Sequence, residues 1–370
     1  MPSVSNIASE KLSTPSVFDQ ISTNEHEQVA FCYDAASGLK SIIAIHSTVL
    51  GPALGGTRFW NYANDAEALT DVLRLSRGMT FKASLAGLNL GGGKAVIIGD
   101  SKKDKSEELF RRYGKFVEGL NGRYITAEDV GTATGDMEFI NMETKSVTGI
   151  PEYMGGSGDP SPFTAYGTFL GIKASVNKRY GSDSLEGKKV AVQGVGHVGE
   201  YLVKHLVEAG AQVIITDISA ERVSEIISRY PGKVSGVNPE DIYDVDMDIY
   251  APCALGATVN DNTIHKIKCS IIAGAANNQL ADEKKHGQIL IEKGILYAPD
   301  FLINAGGLIN VGNELEGYNR TRVMAEVEKI YQRTLDIYKL AADENIPTQQ
   351  AAVKMAEKRV KSIAILNSRL

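Results

Sequence analysis

Two lysines and one aspartate are the residues with which this sequence could do chemistry. Lys82 and Lys94 stand twelve residues apart in the stretch from Thr80 to Asp100, TFKASLAGLNLGGGKAVIIGD. Lys94 follows Gly91-Gly92-Gly93 and precedes the apolar run Ala95-Val96-Ile97-Ile98, which reads as a buried strand. Three glycines let a backbone take positive φ and come close to a ligand. They are expected to deliver Lys94 as a loop into the mouth of that strand. Burial there disfavours the charged form of the lysine, and a second ammonium nearby disfavours it further. Both effects push it toward the range in which a lysine acts as a base. Asp129, in Ala127-Glu128-Asp129-Val130-Gly131, follows an expected strand, where α/β folds place catalytic groups. The plainer reading of a loop aspartate is a turn or helix cap.

A second signature lies further on. Lys189–Gln193 reads as a short strand, followed at once by Gly194-Val195-Gly196-His197-Val198-Gly199 and a helix from Val198 to Ala209. A lone G-x-G-x-x-G carries little. Here it links a strand to a helix, and Asp217 closes the next strand about twenty residues on, which is the dinucleotide-binding pattern. The glycines permit the tight turn and the approach of a pyrophosphate, and the helix N-terminus supplies N–H groups to it. Asp217 is placed to accept hydrogen bonds from the adenosine ribose. Its charge would repel a 2′-phosphate, so NAD is expected over NADP. His197 occupies a variable position of the motif and is given no chemistry of its own.

These groups need elements to hold them. Residues 1–15 read as a loose tail, and Gln28–Tyr33 and Leu39–Ser47 as the strands of a hairpin. Gly51–Gly56 reads as a rigid turn whose Gly pair serves either geometry or an anionic ligand. Helices are expected over Asp65–Met79 and about Lys105–Leu120, with a return strand near Gly122–Thr126. Around Thr148 the composition changes to Gly and Pro, which reads as a hinge and domain boundary. Ser161-Pro162 would then cap and start a helix. Further α/β alternation follows, with loops at 252–257 and 274–278, and Asn277 there is either a turn residue or an amide aimed at ligands. Cys253 reads as a small buried residue. The fold expected is α/β with two domains. Residues 1–148 form a substrate domain and 149–335 a Rossmann-type domain with a mostly parallel sheet. Helices at 336–370 pack back on the first domain or on another subunit.

Composition bounds the function. The chain has 370 residues, 43% hydrophobic and 23% charged, with net charge -6 and no basic block, so nucleic acid is an unsuitable partner. No stretch reaches the length of a membrane span. Cys32, Cys253 and Cys269 show no metal-ligand spacing, and three scattered cysteines suggest reduced thiols in a cytoplasm.

From about Phe18 onward the chain resembles the glutamate/leucine/phenylalanine/valine dehydrogenase family, its leucine branch most closely. The motifs that carry this are GPALGGTR at 51–58, GMTFKASLAGLNLGGGKAVIIGD at 78–100, ITAEDVGT at 125–132, AVQGVGHVG at 191–199, APCALGATVN at 251–260 and AGAANNQL at 273–280. The resemblance implies reversible, NAD-dependent oxidative deamination of an L-amino acid to a 2-oxo acid and ammonium, in a cleft between the two domains of a homo-oligomer. It implies that Lys94 is the general base, that Lys82 and the Gly56 N–H bind the substrate carboxylate, and that Asp129 moves protons at the amino group. Asn277 would lie near that carboxylate and the nicotinamide, and Thr148 at the hinge near the cofactor. Leu54, Ala127, Leu308 and Val311 would line the side-chain pocket. An acidic side chain there would be buried without a partner, which disfavours glutamate as substrate. Ala127 matches the leucine enzymes. Leu308 matches the phenylalanine type, and the loop reads GGGK where many leucine enzymes have GGAK, so phenylalanine is the alternative substrate. A nucleotide-binding regulator without catalysis is the remote alternative, and the presence of both Lys94 and Asp129 speaks against it.

Overall fold

The computed structural model describes residues 16–368; the tail expected at 1–15 lies outside them. The first half is built on five strands: β1 (Gln28–Asp34), β2 (Leu39–Ser47), β3 (Ala53–Trp60), β4 (Gly91–Ile98) and β5 (Tyr124–Glu128). Their order is β1-β2-β4-β3-β5. The hairpin β1–β2 and the pair β2–β4 are antiparallel, while β3 runs parallel to both β4 and β5. The helices are α1 (Val17–Thr23), α2 (Asp65–Leu85), α3 (Glu107–Glu118) and α4 (Thr134–Asn141).

Alternation along β2 sorts the two faces of this sheet. Ile43 and Ile45 pack with Leu109, Phe110 and Tyr113 of α3. Ile42 and Ala44 pack with Leu69, Val72 and Leu73 of α2.

Three expectations are corrected here. Helix α2 does not stop at Met79 but runs to Leu85, so Lys82 is helical. Gly78 costs such a helix about 1 kcal/mol, but the buried residues Thr80, Phe81, Ala83, Ser84 and Leu85 continue its apolar face. Gly91–Gly93 are not a loop. They form the first half of β4, and none has positive φ. Gly55 and Gly56 likewise lie inside β3, and only Gly51, with φ 142°, belongs to the turn before it.

The second half carries six strands: β6 (Lys189–Gln193), β7 (Gln212–Thr216), β8 (Val234–Gly236), β9 (Ile249–Pro252), β10 (Ile271–Ile272) and β11 (Leu296–Tyr297). They pair in the order β8-β7-β6-β9-β10-β11, every neighbour parallel. The order reverses direction between β6 and β9, which opens a ligand crevice at the strands' carboxyl ends. The helices are α5 (Ser161–Tyr180), α6 (His197–Glu208), α7 (Ala220–Arg229), α8 (Glu283–Glu292), α9 (Asp300–Ile303), α10 (Gly306–Gly312), α11 (Arg320–Glu344) and α12 (Thr348–Asn367). Ser161 is the first residue of α5 rather than its cap, and its N–H donates to Asp159 Oδ1 at 2.8 Å.

The C-terminal helices reach back to α2. Ser84 donates its hydroxyl to the Ala356 carbonyl at 2.9 Å, and Arg359 Nη1 donates to the carbonyls of Ser84 and Leu88 at 3.1 and 2.8 Å. Residues 335 and 336, the expected boundary, fall inside the uninterrupted helix α11. Among the described residues no helix is long and apolar enough to cross a membrane.

Candidate active site

Lys94 lies in β4 with its side chain buried, and Nζ stands 2.9 Å from Asp129 Oδ2. Asp129 follows the last residue of β5, and its backbone N–H donates to Thr132 Oγ1 at 2.9 Å. Arg58 Nε donates to the same Oδ2 at 3.1 Å. Burial works to raise the Asp129 carboxyl, but Lys94 and then Arg58 outweigh it and hold the group below the usual carboxylate range. Lys82, three residues before the end of α2, faces this pair. Burial drives its ammonium down to about 8; the buried Asp300 opposes that shift and Lys94 adds to it. A depressed lysine is therefore present in the cleft, at Lys82.

The glycines serve proximity. A Cβ on Gly92 would meet Thr80 Oγ1 at 2.1 Å, so α2 could not lie this close to β4. A Cβ on Gly55 would meet the Gly93 carbonyl at 1.7 Å, and one on Gly56 the Glu128 carbonyl at 2.3 Å. Close packing of α2, β3, β4 and β5 is what brings Lys82, Lys94 and Asp129 together.

Beside them lies an apolar cluster of Leu54, Ala83, Leu90, Ile125, Leu308 and Val311. Ala127 is buried two residues beyond Ile125 on β5, and so on the same face. Leu308 and Val311 come from α10, so both halves of the chain line this wall.

Asn277 and Thr148 make their hydrogen bonds to groups other than the lysine pair. Asn277 is exposed, and its Oδ1 accepts from Asn304 Nδ2 at 2.7 Å. Thr148 is fully buried, and its N–H donates to the Thr126 carbonyl at 2.9 Å. Among the described residues neither hydrogen-bonds to Lys82, Lys94 or Asp129. The segment after Thr148 is tied to the second half: Glu314 Oε1 accepts from the N–H groups of Gly149 and Ser157, both at 2.9 Å.

The dinucleotide signature folds as a cradle. Gly194 has φ 97°, and its Cβ would meet Ala254 at 2.6 Å; a Cβ on Gly199 would meet the Gly194 carbonyl at 2.1 Å. At Gly196 only Arg222 comes near, at 3.7 Å, so a side chain there would fill open space above the turn. His197 and Val198 begin α6, whose N-terminus has no side-chain cap, leaving N–H groups for an anion. Asp217 accepts from the N–H groups of Val195 at 2.8 Å and Ser219 at 3.0 Å. Each carboxylate oxygen keeps a lone pair for a ribose hydroxyl. These residues fit a dinucleotide. Cys253, beside the turn, has its thiol raised to about 12 by burial and behaves as a packing residue.

Sequence reasoning missed Arg58 and its second partner Asp71, to whose Oδ2 Nη1 donates at 2.9 Å. The arginine stood in view at the end of GPALGGTR, but nothing local showed that it reaches Asp129. Asp300 was also missed; its carboxyl is raised by burial and accepts from the Gln279 N–H at 3.0 Å.

Residues 26–146 match the family described as Glu/Leu/Phe/Val dehydrogenase, dimerisation domain, and residues 155–220 and 214–366 match Glutamate/Leucine/Phenylalanine/Valine dehydrogenase. The chain is 56% identical to the leucine dehydrogenase of Geobacillus stearothermophilus, over 94% of each chain. It is 50% identical to the phenylalanine dehydrogenase of Thermoactinomyces intermedius, again over 94% of each. The crystal structure of L-tryptophan dehydrogenase from Nostoc punctiforme superposes with a TM-score of 0.82 at 47% identity, covering 94% of this chain and 99% of that one.

Proposed function

The chain belongs to the glutamate/leucine/phenylalanine/valine dehydrogenase family, and from that premise we propose how its cleft works. It is an amino-acid dehydrogenase of the leucine type. An apolar L-amino acid (leucine, isoleucine or valine), water and an oxidised nicotinamide cofactor give the 2-oxo acid, ammonium, the reduced cofactor and a proton, reversibly. The observation that carries the residue roles is the pairing of buried Lys94 with half-buried Asp129, 2.9 Å apart and faced by Lys82.

Lys82 and the Gly56 N–H bind the substrate carboxylate, and Asn277 supplies an amide beside it and the nicotinamide. Asp129, held as an anion, accepts a proton from the α-ammonium. When bound, the nicotinamide supplies the hydride acceptor. Once the Cα–H hydride has left and the iminium has formed, Lys94 takes one proton from the water that adds to the iminium carbon. Asp129 returns its proton to the amine. As the C–N bond breaks, the carbinolamine hydroxyl proton passes to the leaving ammonia, which departs as ammonium. Two cations and one anion thus meet a zwitterion, each complementary to one part of it.

The cofactor is NAD, held by Gly194, Val195, Gly196, His197, Val198 and Gly199 through backbone groups, with Thr148 near the hinge. Asp217 supports this choice, since a 2′-phosphate would meet its charge. The leucine preference rests on the uncharged wall of Leu54, Ala127, Leu308 and Val311, where glutamate's side chain would cost several kcal/mol. The match of Leu308 to the phenylalanine type favours one second reading, a preference for phenylalanine.

Residues 16–148 act as the substrate domain and the parallel sheet with its helices as the cofactor domain, with α12 closing onto the first. The chain works as a homo-oligomer: residues 26–146 match a dimerisation domain, and edge strand β1 exposes Phe31 and Tyr33. Three unpaired cysteines fit a cytoplasmic protein.

Initial rates of NAD⁺ reduction with L-leucine, L-valine, L-phenylalanine and L-glutamate test this reading. Turnover on the branched residues is expected. A preference for glutamate contradicts it.

A further inference from the structure

Arg58 touches two carboxylates at once. It sits in β3 two residues beyond Gly56; Nε donates to Asp129 Oδ2 at 3.1 Å and Nη1 to Asp71 Oδ2 at 2.9 Å. Asp71, on α2, is fixed in turn by the Tyr62 hydroxyl at 2.7 Å and by Arg74 Nη2 at 3.1 Å. The guanidinium is therefore clamped at its far end while its near edge shares one oxygen of Asp129 with Lys94.

That sharing has a chemical consequence. In the reaction proposed above, Lys94 gains and loses a proton next to a carboxylate that could itself take it. Arginine does not titrate in a protein. A permanent cation on the aspartate oxygen keeps that carboxylate ionised when Lys94 is neutral. Lys82 of α2 also faces the pair.

We propose that Arg58 is a positioning residue of this site: its fixed charge orients Asp129 and sets the pH at which the Lys94–Asp129 pair becomes competent. The proposal rests on the roles given to that pair.

Behind Arg58 lies an open depression of about 630 Å³, bordered by Trp60, Tyr62, Glu67, Asp71 and Arg74. It connects the guanidinium to bulk solvent. Truncation at position 58 would leave a hole that a free guanidinium ion can enter from outside.

The test is the pH dependence of kcat/KM for wild type, Arg58→Gln and Arg58→Ala, each with and without dilute guanidinium chloride. Arg111→Gln, which loses an exposed charge on α3 paired with Glu107 and Glu143, is the control. In Arg58→Gln the acid limb is expected to move to higher pH, since the Asp129 carboxyl loses one of the cations that hold it down, while Arg111→Gln leaves it in place. In Arg58→Ala, added guanidinium is expected to restore activity saturably and return the limb toward wild type, where sodium chloride at equal ionic strength does not. An unmoved limb in Arg58→Gln overturns the proposal, whether or not Arg58→Ala folds. So does rescue by both salts alike. A wild type that deaminates no amino acid, or an active Lys94→Ala enzyme, would instead overturn the roles on which the proposal rests.

Discussion

Lys94 and Asp129 meet across a strand that has no side chain at the crossing point. Lys94 is on β4 and Asp129 just past β5, with β3 between them. The register that pairs Leu54 with Gly92 and Thr57 with Ala95 sets Gly56 abreast of Lys94, and Gly56 itself pairs with Ala127. The lysine can therefore reach over Gly56 to the carboxylate 2.9 Å away.

Gly56→Ala should break that arrangement. The added Cβ would meet the Glu128 carbonyl at 2.3 Å and Asp129 Cβ at 2.9 Å, so the loop that carries the carboxylate must shift. A displacement of about 1 Å costs roughly 100-fold in rate. Steady-state kinetics should show kcat lowered to that extent. An NADH fluorescence titration should show cofactor affinity unchanged, because the dinucleotide cradle is in the other half of the chain.

The apolar wall should set the choice of side chain. Ala127→Gly enlarges the space beside the cluster. The ratio of kcat/KM for phenylalanine over leucine should rise about 10-fold, the scale at which a hydrophobic pocket discriminates by size. Competing-substrate assays measure it. An unchanged ratio would mean that Ala127 does not border the substrate.

Asp217 should govern the choice of nucleotide. Asp217→Asn keeps an oxygen able to accept from Val195 N–H, which now bonds the carboxylate at 2.8 Å, but removes the charge. The preference for NAD over NADP, read as a ratio of kcat/KM, should fall by about an order of magnitude. Equal discrimination in the variant would remove Asp217 from that role.

A buried histidine pair should make the protein sensitive to acid. His26 and His46 pack edge to face at 4.9 Å; His26 Nε2 bonds Ser76 Oγ at 2.7 Å, and His46 Nδ1 bonds Thr80 Oγ1 at 2.8 Å. Burial lowers His26 to about 4 and His46 to about 3, from 6.5. In that window the unfolded chain binds protons that the folded protein refuses. Stability therefore falls as pH drops from 6.5 toward 4, by a few kcal/mol in sum. Denaturant midpoints across this range should fall less steeply in His46→Gln than in wild type.

Much of this was legible because it is local. The strand, glycine turn, helix and second strand from Lys189 to Thr216 lie consecutively, so their local fold can be read from the pattern. The β1–β2 hairpin and the exit of Asp129 from β5 were equally readable. The glycines at 55–56 and 91–93 misled, because glycine is a poor strand former that usually marks a turn. Here they are strand residues selected by contacts with Glu128, Gly93 and Thr80, which no local pattern displays. Arg58 was missed for a related reason: its partners lie 13 and 71 residues away in the chain, and only the parallel pairing of β3 with β5 brings Asp129 to it.

The most direct measurement is the rate of NADH formation from L-leucine and NAD⁺ by wild type and Lys94→Ala, with cofactor binding to each followed by fluorescence. The wild type should turn over. The variant should bind NADH normally while losing about 10²–10⁴-fold in kcat, the contribution of a positioned base. A Lys94→Ala enzyme that keeps most of its rate would contradict the central role of the Lys94–Asp129 pair. A wild type that binds NADH but turns over no apolar amino acid would contradict the enzyme itself.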